Sequence, residues 1–339
     1  MLKIFTDYRF LTPENRKEVF PLLFDLCYTD DSILHSYYEL VPTLEACDIA
    51  VIPVNLRRFG THNDLNQFIS DAQKRSKIVW LYSGGDFGLT FDASVQVFRN
   101  GGFHSKVPRT TFILPSFIND PILKKNQEIV PILKTVLPQV GFVGHADNSI
   151  TKQLKELIVY AKNNLDIILK REKADFQKFY PSSTKRYNFL KQLSKSENIK
   201  TNFILRKNYN AGAKNIQDKA LSRQEFFDNI VANPYTFCMR GAGNFSVRFF
   251  ETLAMGRIPL VVNTDIRLPL NDLIDWKKHC VMVSQENMLE ELIDFHTTIS
   301  IEDFAQMQID NRKLWLDFLE REAYFSILHR VFKNRINEV

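Results

Sequence analysis

The run Phe237-Cys238-Met239-Arg240-Gly241-Ala242-Gly243-Asn244-Phe245-Ser246-Val247-Arg248-Phe249-Phe250-Glu251 holds the densest chemistry of this 339-residue chain. Tyr235 to Met239 reads as a short strand, the glycines as a loop, and Ser246 to Met255 as a helix with an apolar period near 3.6 residues. A strand feeding a helix through a glycine-containing turn is the unit of a parallel α/β sheet, and such a turn is where those sheets hold phosphate. Gly241 and Gly243 are expected to take backbone conformations closed to other residues, letting peptide N–H groups approach an anion. Ser246 stands where a helix N-cap belongs, and the helix N-terminus adds about half a positive charge. Arg248, with Arg240 before the glycines, supplies permanent cations that bind a diphosphate bidentately. Glu251, one turn beyond Arg248 on the same face, is an acceptor suited to ribose hydroxyls. The plainer alternatives are an Arg248–Glu251 helix ion pair and an ordinary strand-to-helix turn.

The same alternation extends outward in both directions. Downstream, Gly256 is placed as a left-handed helix cap, followed by strands Ile258 to Val262 and Val281 to Val283 and a largely helical tail from Glu302 to Arg335. Upstream, Thr201 to Leu205 is a strand whose following residue, Arg206, points toward the same donor region, and Arg223 to Ala232 is a helix. Val140 to Val143 is a strand ending at Gly144-His145. In the first third, strands Leu2 to Phe5, Ile49 to Pro53, Lys77 to Tyr82 and Thr110 to Leu114 alternate with helices Glu14 to Leu26 and Asn63 to Ser76. Parallel strands need crossover helices, so the expected fold is α/β, two doubly wound Rossmann-like domains. The expected division is 1–137, 138–310 and a C-terminal helix, 311–339, packing back across the domains.

Composition excludes several classes. With 45% hydrophobic and 24% charged residues the chain is globular, and no apolar run nears the roughly 18 residues of a membrane span. The 44 Lys/Arg exceed the 39 Asp/Glu by only five, but residues 151–214 hold 15 basic against 5 acidic, so the remainder is net acidic. Much of that excess falls on a basic helical segment, 149–197, read as a long amphipathic helix from Ser149 to Phe179 and a second near Lys185 to Leu193. Cys27, Cys47, Cys238 and Cys280 show no paired metal or redox spacing, which suits free thiols in a reducing compartment. The start, Met1-Leu2-Lys3-Ile4-Phe5, lacks a signal-peptide pattern, so a cytoplasmic location is expected. The sequon Asn244-Phe245-Ser246 lies in the phosphate loop and reads as chance.

Several further motifs accompany the loop: Gly256-x-Ile258-Pro259, Leu268-Pro269, Ile274-Asp275-Trp276, Leu314-Trp315 and Tyr324-Phe325-Ser326. Together with Phe237 to Glu251 they resemble the exostosin-like glycosyltransferases, specifically over residues 235–326 and more faintly at Ala46 to Pro53 and Val143-Gly144. The resemblance implies a GT-B architecture, with a nucleotide-sugar donor on the C-terminal domain, a saccharide acceptor largely on the N-terminal one, and inverting transfer. Arg240, Gly241, Arg248 and Glu251 match the family's donor motif. Ala242 and Gly243 stand where some animal members carry further basic residues, which leaves the donor's identity open, down to a nucleoside monophosphate sugar.

Inverting transfer needs a base near the acceptor hydroxyl, and ligands of open α/β sheets bind off the carboxyl edge. Asp86, in Tyr82-Ser83-Gly84-Gly85-Asp86-Phe87-Gly88, is the first candidate and Asp7, after the first strand, the second. His145 is a third, as base or phosphate donor. Asp86 reads alternatively as a turn former. Arg57 and Arg58 suit an acidic acceptor, or form a solvated loop pair. No Asp-x-Asp occurs, so a metal-independent reaction without cofactor is expected, its leaving group stabilised by arginines and a helix N-terminus. The basic stretch 151–214 is a solvated face or a peripheral contact with the inner face of a membrane bearing a lipid-linked acceptor. A nucleotide-sugar epimerase on the same fold, and a non-catalytic basic module binding membrane or nucleic acid, are the competing readings. No nucleic-acid-binding motif appears, so nucleic acid is not an expected partner.

Overall fold

The computed structural model describes residues 1–92, 94–122, 129–206 and 215–337. Residues 207–214, the end of the basic stretch, lie outside them. In chain order the strands are β1 Leu2–Thr6, β2 Tyr38–Leu40, β3 Ile49–Val51, β4 Ile78–Ser83, β5 Gln96–Arg99, β6 Thr111–Ile113, β7 Gln139–His145, β8 Lys200–Arg206, β9 Tyr235–Cys238, β10 Ile258–Val262 and β11 Val281–Val283. The α-helices are α1 Pro21–Tyr28, α2 His62–Lys74, α3 Ile150–Ile168, α4 Ser182–Lys195, α5 Ile216–Ala232, α6 Val247–Ala254, α7 Met288–Thr298, α8 Ile301–Leu314 and α9 Arg321–Asn337. They form two compact units. One comprises Met1–Phe117, Asn164–Gln177 and the chain from Asp317 on; the other comprises Ile118–Asn163 and Lys178–Leu316.

The first unit holds a parallel sheet in the order β2-β1-β3-β4-β5-β6. Its strands are short apolar runs buried on both faces, as a parallel sheet covered by helices requires. Trp80, Phe98 and Ile49 are fully buried in it. Helix α2 starts at His62 because Thr61 and Asp64 form a capping box, Thr61 Oγ1 accepting from the Asp64 amide at 3.2 Å and Asp64 Oδ2 accepting from the Thr61 amide at 2.7 Å. The expected helix from Glu14 to Leu26 is divided: Pro13 opens a short 3₁₀ turn to Glu18, and Pro21 opens α1, each proline taking a first helical position. Helix α9 packs within this unit. Tyr324 Oη donates to the Ile113 carbonyl at 3.0 Å, Tyr38 Oη to the Phe325 carbonyl at 2.7 Å, and the Phe332 and Trp80 rings lie 4.7 Å apart.

The second unit repeats the plan in the order β11-β10-β9-β7-β8. In both sheets the first strand lies between the second and third, so the order reverses once, at β1/β3 and at β7/β9. Open α/β sheets bind ligands at that switch point, off the carboxyl ends of the strands. The core is built from Val140, Phe142, Tyr235, Phe237, Leu260 and Phe304 among others. Gly256 takes φ +58° after α6, the left-handed cap its position suggested.

The division differs from the expected one. Residues 118–122 and 129–137 belong with the second unit because long-range bonds tie them there: Asp120 pairs with Arg312 at 2.6 Å, and the Ile132 backbone exchanges two 2.9 Å bonds with the Gln308 amide. The helix expected to run to Phe179 stops at Ile168, where Leu169 and Arg171 amides close the end and Lys170 turns left-handed at φ 56°. Strands β2 and β5 and helix α7 were not anticipated, the two strands being only three and four residues long.

Asp25 gives one check on the packing of α9. It is buried 2.6 Å from Arg321, and burial pushes its carboxyl up from 3.8 to about 6 despite that cation. The stability it contributes is full below its unfolded pKa and is lost as pH rises through about 6. Asp25→Asn is therefore expected to flatten the thermal-midpoint profile between pH 4 and 7, measured by calorimetry. An unchanged slope would contradict it.

Candidate functional site

At the switch point of the second unit the strands part. β7 pairs with β9 only at Val140–Tyr235 and Gly141–Thr236, while it stays paired with β8 through His145–Arg206. The crevice that opens is occupied by Arg248, from the first turn of α6. Its Nη2 donates to the Val143 carbonyl at 2.6 Å, and its guanidinium lies 4.1 Å over the Phe142 ring. A Cβ on Gly144 would stand 2.7 Å from Nη2, which accounts for glycine there. The Nε of Arg248 is buried without a hydrogen-bond partner. Burial lowers the group's pKa to about 10, so it remains a cation at neutral pH. A buried cation with a donor to spare, beside an open helix N-terminus, is a site built for an anion.

The loop before it corrects two expectations. Ser246 is the N-cap residue, but its side chain makes no capping bond; only its carbonyl serves the head of α6, accepting from the Phe249 amide at 3.2 Å. Gly241 and Gly243 are not left-handed; among the described glycines only Gly60, Gly85 and Gly256 are. A Cβ on Gly241 would meet nothing within 4 Å, so neither φ nor space requires glycine there. The loop is held by its own backbone, Gly241 N donating to the Phe245 carbonyl at 3.4 Å, and by Asn244. The Asn244 amide donates to the Thr264 and Asp265 carbonyls at 3.2 Å and accepts from Thr264 Oγ1 at 2.7 Å. That side chain, only 4% exposed, is no glycan acceptor.

Around this centre the other candidates fall into place unequally. Glu251 is buried and its carboxyl is raised by burial; its ion-pair partner is Arg223, at 3.9 Å, rather than Arg248. Arg240 is buried, stacks 4.3 Å over the Tyr180 ring and donates to the Ala242 carbonyl at 2.6 Å. Arg206 turns to α5, bonding Ser222 Oγ at 2.6 Å and pairing with Glu225. His145 Nδ1 lies 3.1 Å from the Arg206 carbonyl, so Nδ1 carries a hydrogen and donates to it. Sequence reasoning missed Arg186, Tyr180 and Arg223. Arg186 donates to the His145 carbonyl at 2.9 Å and the Arg240 carbonyl at 3.2 Å, joining the loops after β7 and β9. Its only sequence signal was membership of the basic stretch.

In the first unit, Asp7 stands at the β1/β3 switch point but is engaged locally. It caps a 3₁₀ turn, Tyr8–Phe10, and pairs with Arg9 at 2.6 Å, and Arg9's hydrogen bonds hold its carboxyl below the usual range. A carboxylate so stabilised is a weak base. A cleft of about 420 Å³ opens beside it, lined by the rings of Phe10, Phe59 and Phe68 and by Asp64 and Asp71. Asp86 is exposed on the loop after β4, behind Gly85 at φ +96°. Arg57 lies against that loop, its Nη2 3.8 Å from where a Gly85 Cβ would stand, and pairs with Glu18 at 3.3 Å. Arg58, on the same 3₁₀ turn, is exposed. Among the described residues no group of three or more His, Cys, Asp and Glu is arranged to hold a metal ion.

Residues 40–298 match the model of the exostosin GT47 domain. A 65-residue segment is 37% identical to an exostosin-1 homolog of Caenorhabditis elegans, covering 19% of this chain and 17% of the relative. A 126-residue segment is 26% identical to human exostosin-2, covering 37% of this chain and 17% of the relative. Among solved structures, TarM matches with a TM-score of 0.33 and 11% identity, over 84% of this chain and 54% of that one. An α-glucosyltransferase in complex with UDP-glucose and DNA containing an abasic site matches with a TM-score of 0.37 and 10% identity, over 97% and 98% of the two chains. The chain belongs to the exostosin GT47 family of glycosyltransferases.

Proposed function

We propose that this protein transfers a sugar from a nucleotide-sugar donor, held by the second unit, to a saccharide acceptor, held by the first, in the synthesis of a surface polysaccharide or glycan. The observation that carries the reading is the buried Arg248, its Nε unpartnered, at the head of α6 and the β7/β9 switch point. In the proposed reaction the acceptor oxygen attacks the anomeric carbon, a base takes its proton, and the sugar–phosphate bond breaks with inversion. The charge left on the phosphate oxygens is taken up by Arg248 and the α6 amides, preorganised before reaction. A metal is not required on this reading, which rests on the lack of Asp-x-Asp and on that cationic site. Arg240 shapes the loop, and Glu251 accepts from the ribose. The aromatic cleft beside Asp7 and the Arg57–Arg58 turn are the acceptor candidates. Four free thiols suit a cytoplasmic setting, and the basic stretch suits a lipid-linked acceptor at the membrane's inner face.

Asp86 is the proposed base. Asp86→Asn is expected to lower kcat by about a hundredfold or more while leaving the donor KM nearly unchanged, as loss of general-base catalysis does. Asp7→Asn should cost far less, because Arg9 already holds Asp7 as a weak base. Both are read by nucleotide release from purified protein given a panel of nucleotide sugars and saccharide acceptors. Release that needs both substrates supports transfer. Acceptor-independent conversion of the donor sugar would support an epimerase, and an unimpaired Asp86→Asn would move the base elsewhere.

A further inference from the structure

Helix α3 is packed with its polar face inward. Ile150, Leu154, Leu157, Ile158, Leu165 and Ile168 recur at helical spacing on one stripe, and each is between 45% and 75% exposed. The row beside it, Glu156, Tyr160 and Asn164 at four-residue spacing, is the one that packs: Glu156 accepts from the Ser183 amide at 3.3 Å, the Tyr160 ring lies 5.3 Å from Phe179, and Asn164, 5% exposed, exchanges bonds of 3.1 and 3.0 Å with the Gln177 backbone. A surface helix ordinarily does the reverse. An apolar stripe of this length, left facing outward, marks an interaction surface.

Charge identifies what covers it. From Ile150 to Phe179 there are seven Lys/Arg against four Asp/Glu. Three of the four acids already pair with a cation, Glu156 with Lys152, Asp166 with Arg171 and Asp175 with Arg99. Lys155 and Lys162 lie on one shoulder of the stripe, exposed, and make no ion pair among the described residues. Beyond α3, Phe176 and Phe179 are 60% and 40% exposed. A second copy of this face would set lysine against lysine. An apolar stripe with basic shoulders and an aromatic edge matches a helix lying in the plane of an anionic lipid surface. No described helix is long and apolar enough to cross a membrane, which leaves the in-plane mode. We infer that α3 is a membrane-docking helix, inserting its Ile150–Ile168 stripe among acyl chains while Lys155 and Lys162 meet anionic headgroups. The inference does not depend on the donor reading, since vesicle binding and nucleotide binding are measured separately.

The test is co-sedimentation of the full chain with phosphatidylcholine vesicles, with and without phosphatidylserine. Binding is expected on the anionic vesicles and severalfold less on the neutral ones. Leu154→Glu/Ile158→Glu should lower the partition by about tenfold or more, because it removes two anchors and adds repulsion. Its thermal midpoint and nucleotide binding should be unchanged. Lys155→Glu/Lys162→Glu, which leaves the apolar stripe intact, should abolish the preference for phosphatidylserine. Failure of the unmodified chain to bind anionic vesicles would overturn the inference, as would binding indifferent to both double substitutions. Light scattering that shows a dimer dissolved by Leu154→Glu/Ile158→Glu, without vesicle binding, would assign the stripe to a second copy instead.

Discussion

Arg248→Ala is expected to lower kcat/KM for the donor by about a hundredfold or more, roughly 3 kcal/mol of transition-state stabilisation, the scale for removing one preorganised donor to a developing anion. The guanidinium is fixed before any ligand arrives, by the Val143 carbonyl and the Phe142 ring, so little reorganisation accompanies binding. Arg248→Lys should recover little, since an ammonium cannot keep the Val143 bond, lie flat on Phe142 and present a second planar donor at once. Gly144→Ala makes an independent test of the same group, because the added Cβ would displace Nη2 from 2.7 Å away without touching its charge. Steady-state kinetics on the three variants, with circular dichroism as the control for folding, check the prediction. Equal activity in Arg248→Ala and the parent would remove Arg248 from the site.

The largest expected effect on stability lies at the other end of α6. Asp120 and Arg312 form a two-bond pair, at 3.1 and 2.6 Å, with side chains 7% and 19% exposed, and Arg312 also donates to the Ala254 carbonyl at 2.8 Å. Asp120→Ala leaves the half-buried guanidinium without its counter-charge, which costs about 3 kcal/mol, the lower end of the scale for breaking a buried pair. The apparent thermal midpoint of the second unit should fall by roughly 6 °C or more. Replacing both partners, Asp120→Leu with Arg312→Met, should restore most of the loss, because the penalty comes from the unpaired charge and not from the missing attraction. A single variant as stable as the parent would show that residues 118–122 are not fastened to α8 by this pair.

What was legible in the sequence was local. The strand-loop-helix from Tyr235 to Met255 and the strands Ile258–Val262 and Val281–Val283 follow from short apolar runs punctuated by glycine and polar residues, and the parallel α/β class follows from their alternation. The cap at Gly256 follows from its place after the last helical residue. What was not legible depends on partners distant in the chain. Nothing near Asp120 or Ile132 indicates bonds to residues 192 and 176 positions away, so the unit boundary was set too late. Arg186 looked like one lysine-rich helix residue among many until β7 and β9 set the His145 and Arg240 carbonyls beside it. The amphipathic period of α3 was evident, but period alone does not say which face turns inward; Asn164 and Glu156 decide that through their bonds to Gln177 and Ser183. Asp7 looked like any carboxylate after a strand, and the Arg9 pair that holds it shows only in the structure.

The central claim, that the crevice at β7 and β9 holds the phosphates of a nucleotide sugar, is tested most directly by calorimetric titration of nucleoside diphosphates and nucleotide sugars into the unmodified chain and into Arg248→Ala. Saturable binding is predicted for at least one of them, with a stabilisation of about 2.7 kcal/mol at a hundred times its dissociation constant, and is predicted to vanish in the variant. No binding by any nucleotide, or equal binding by the two proteins, would contradict it.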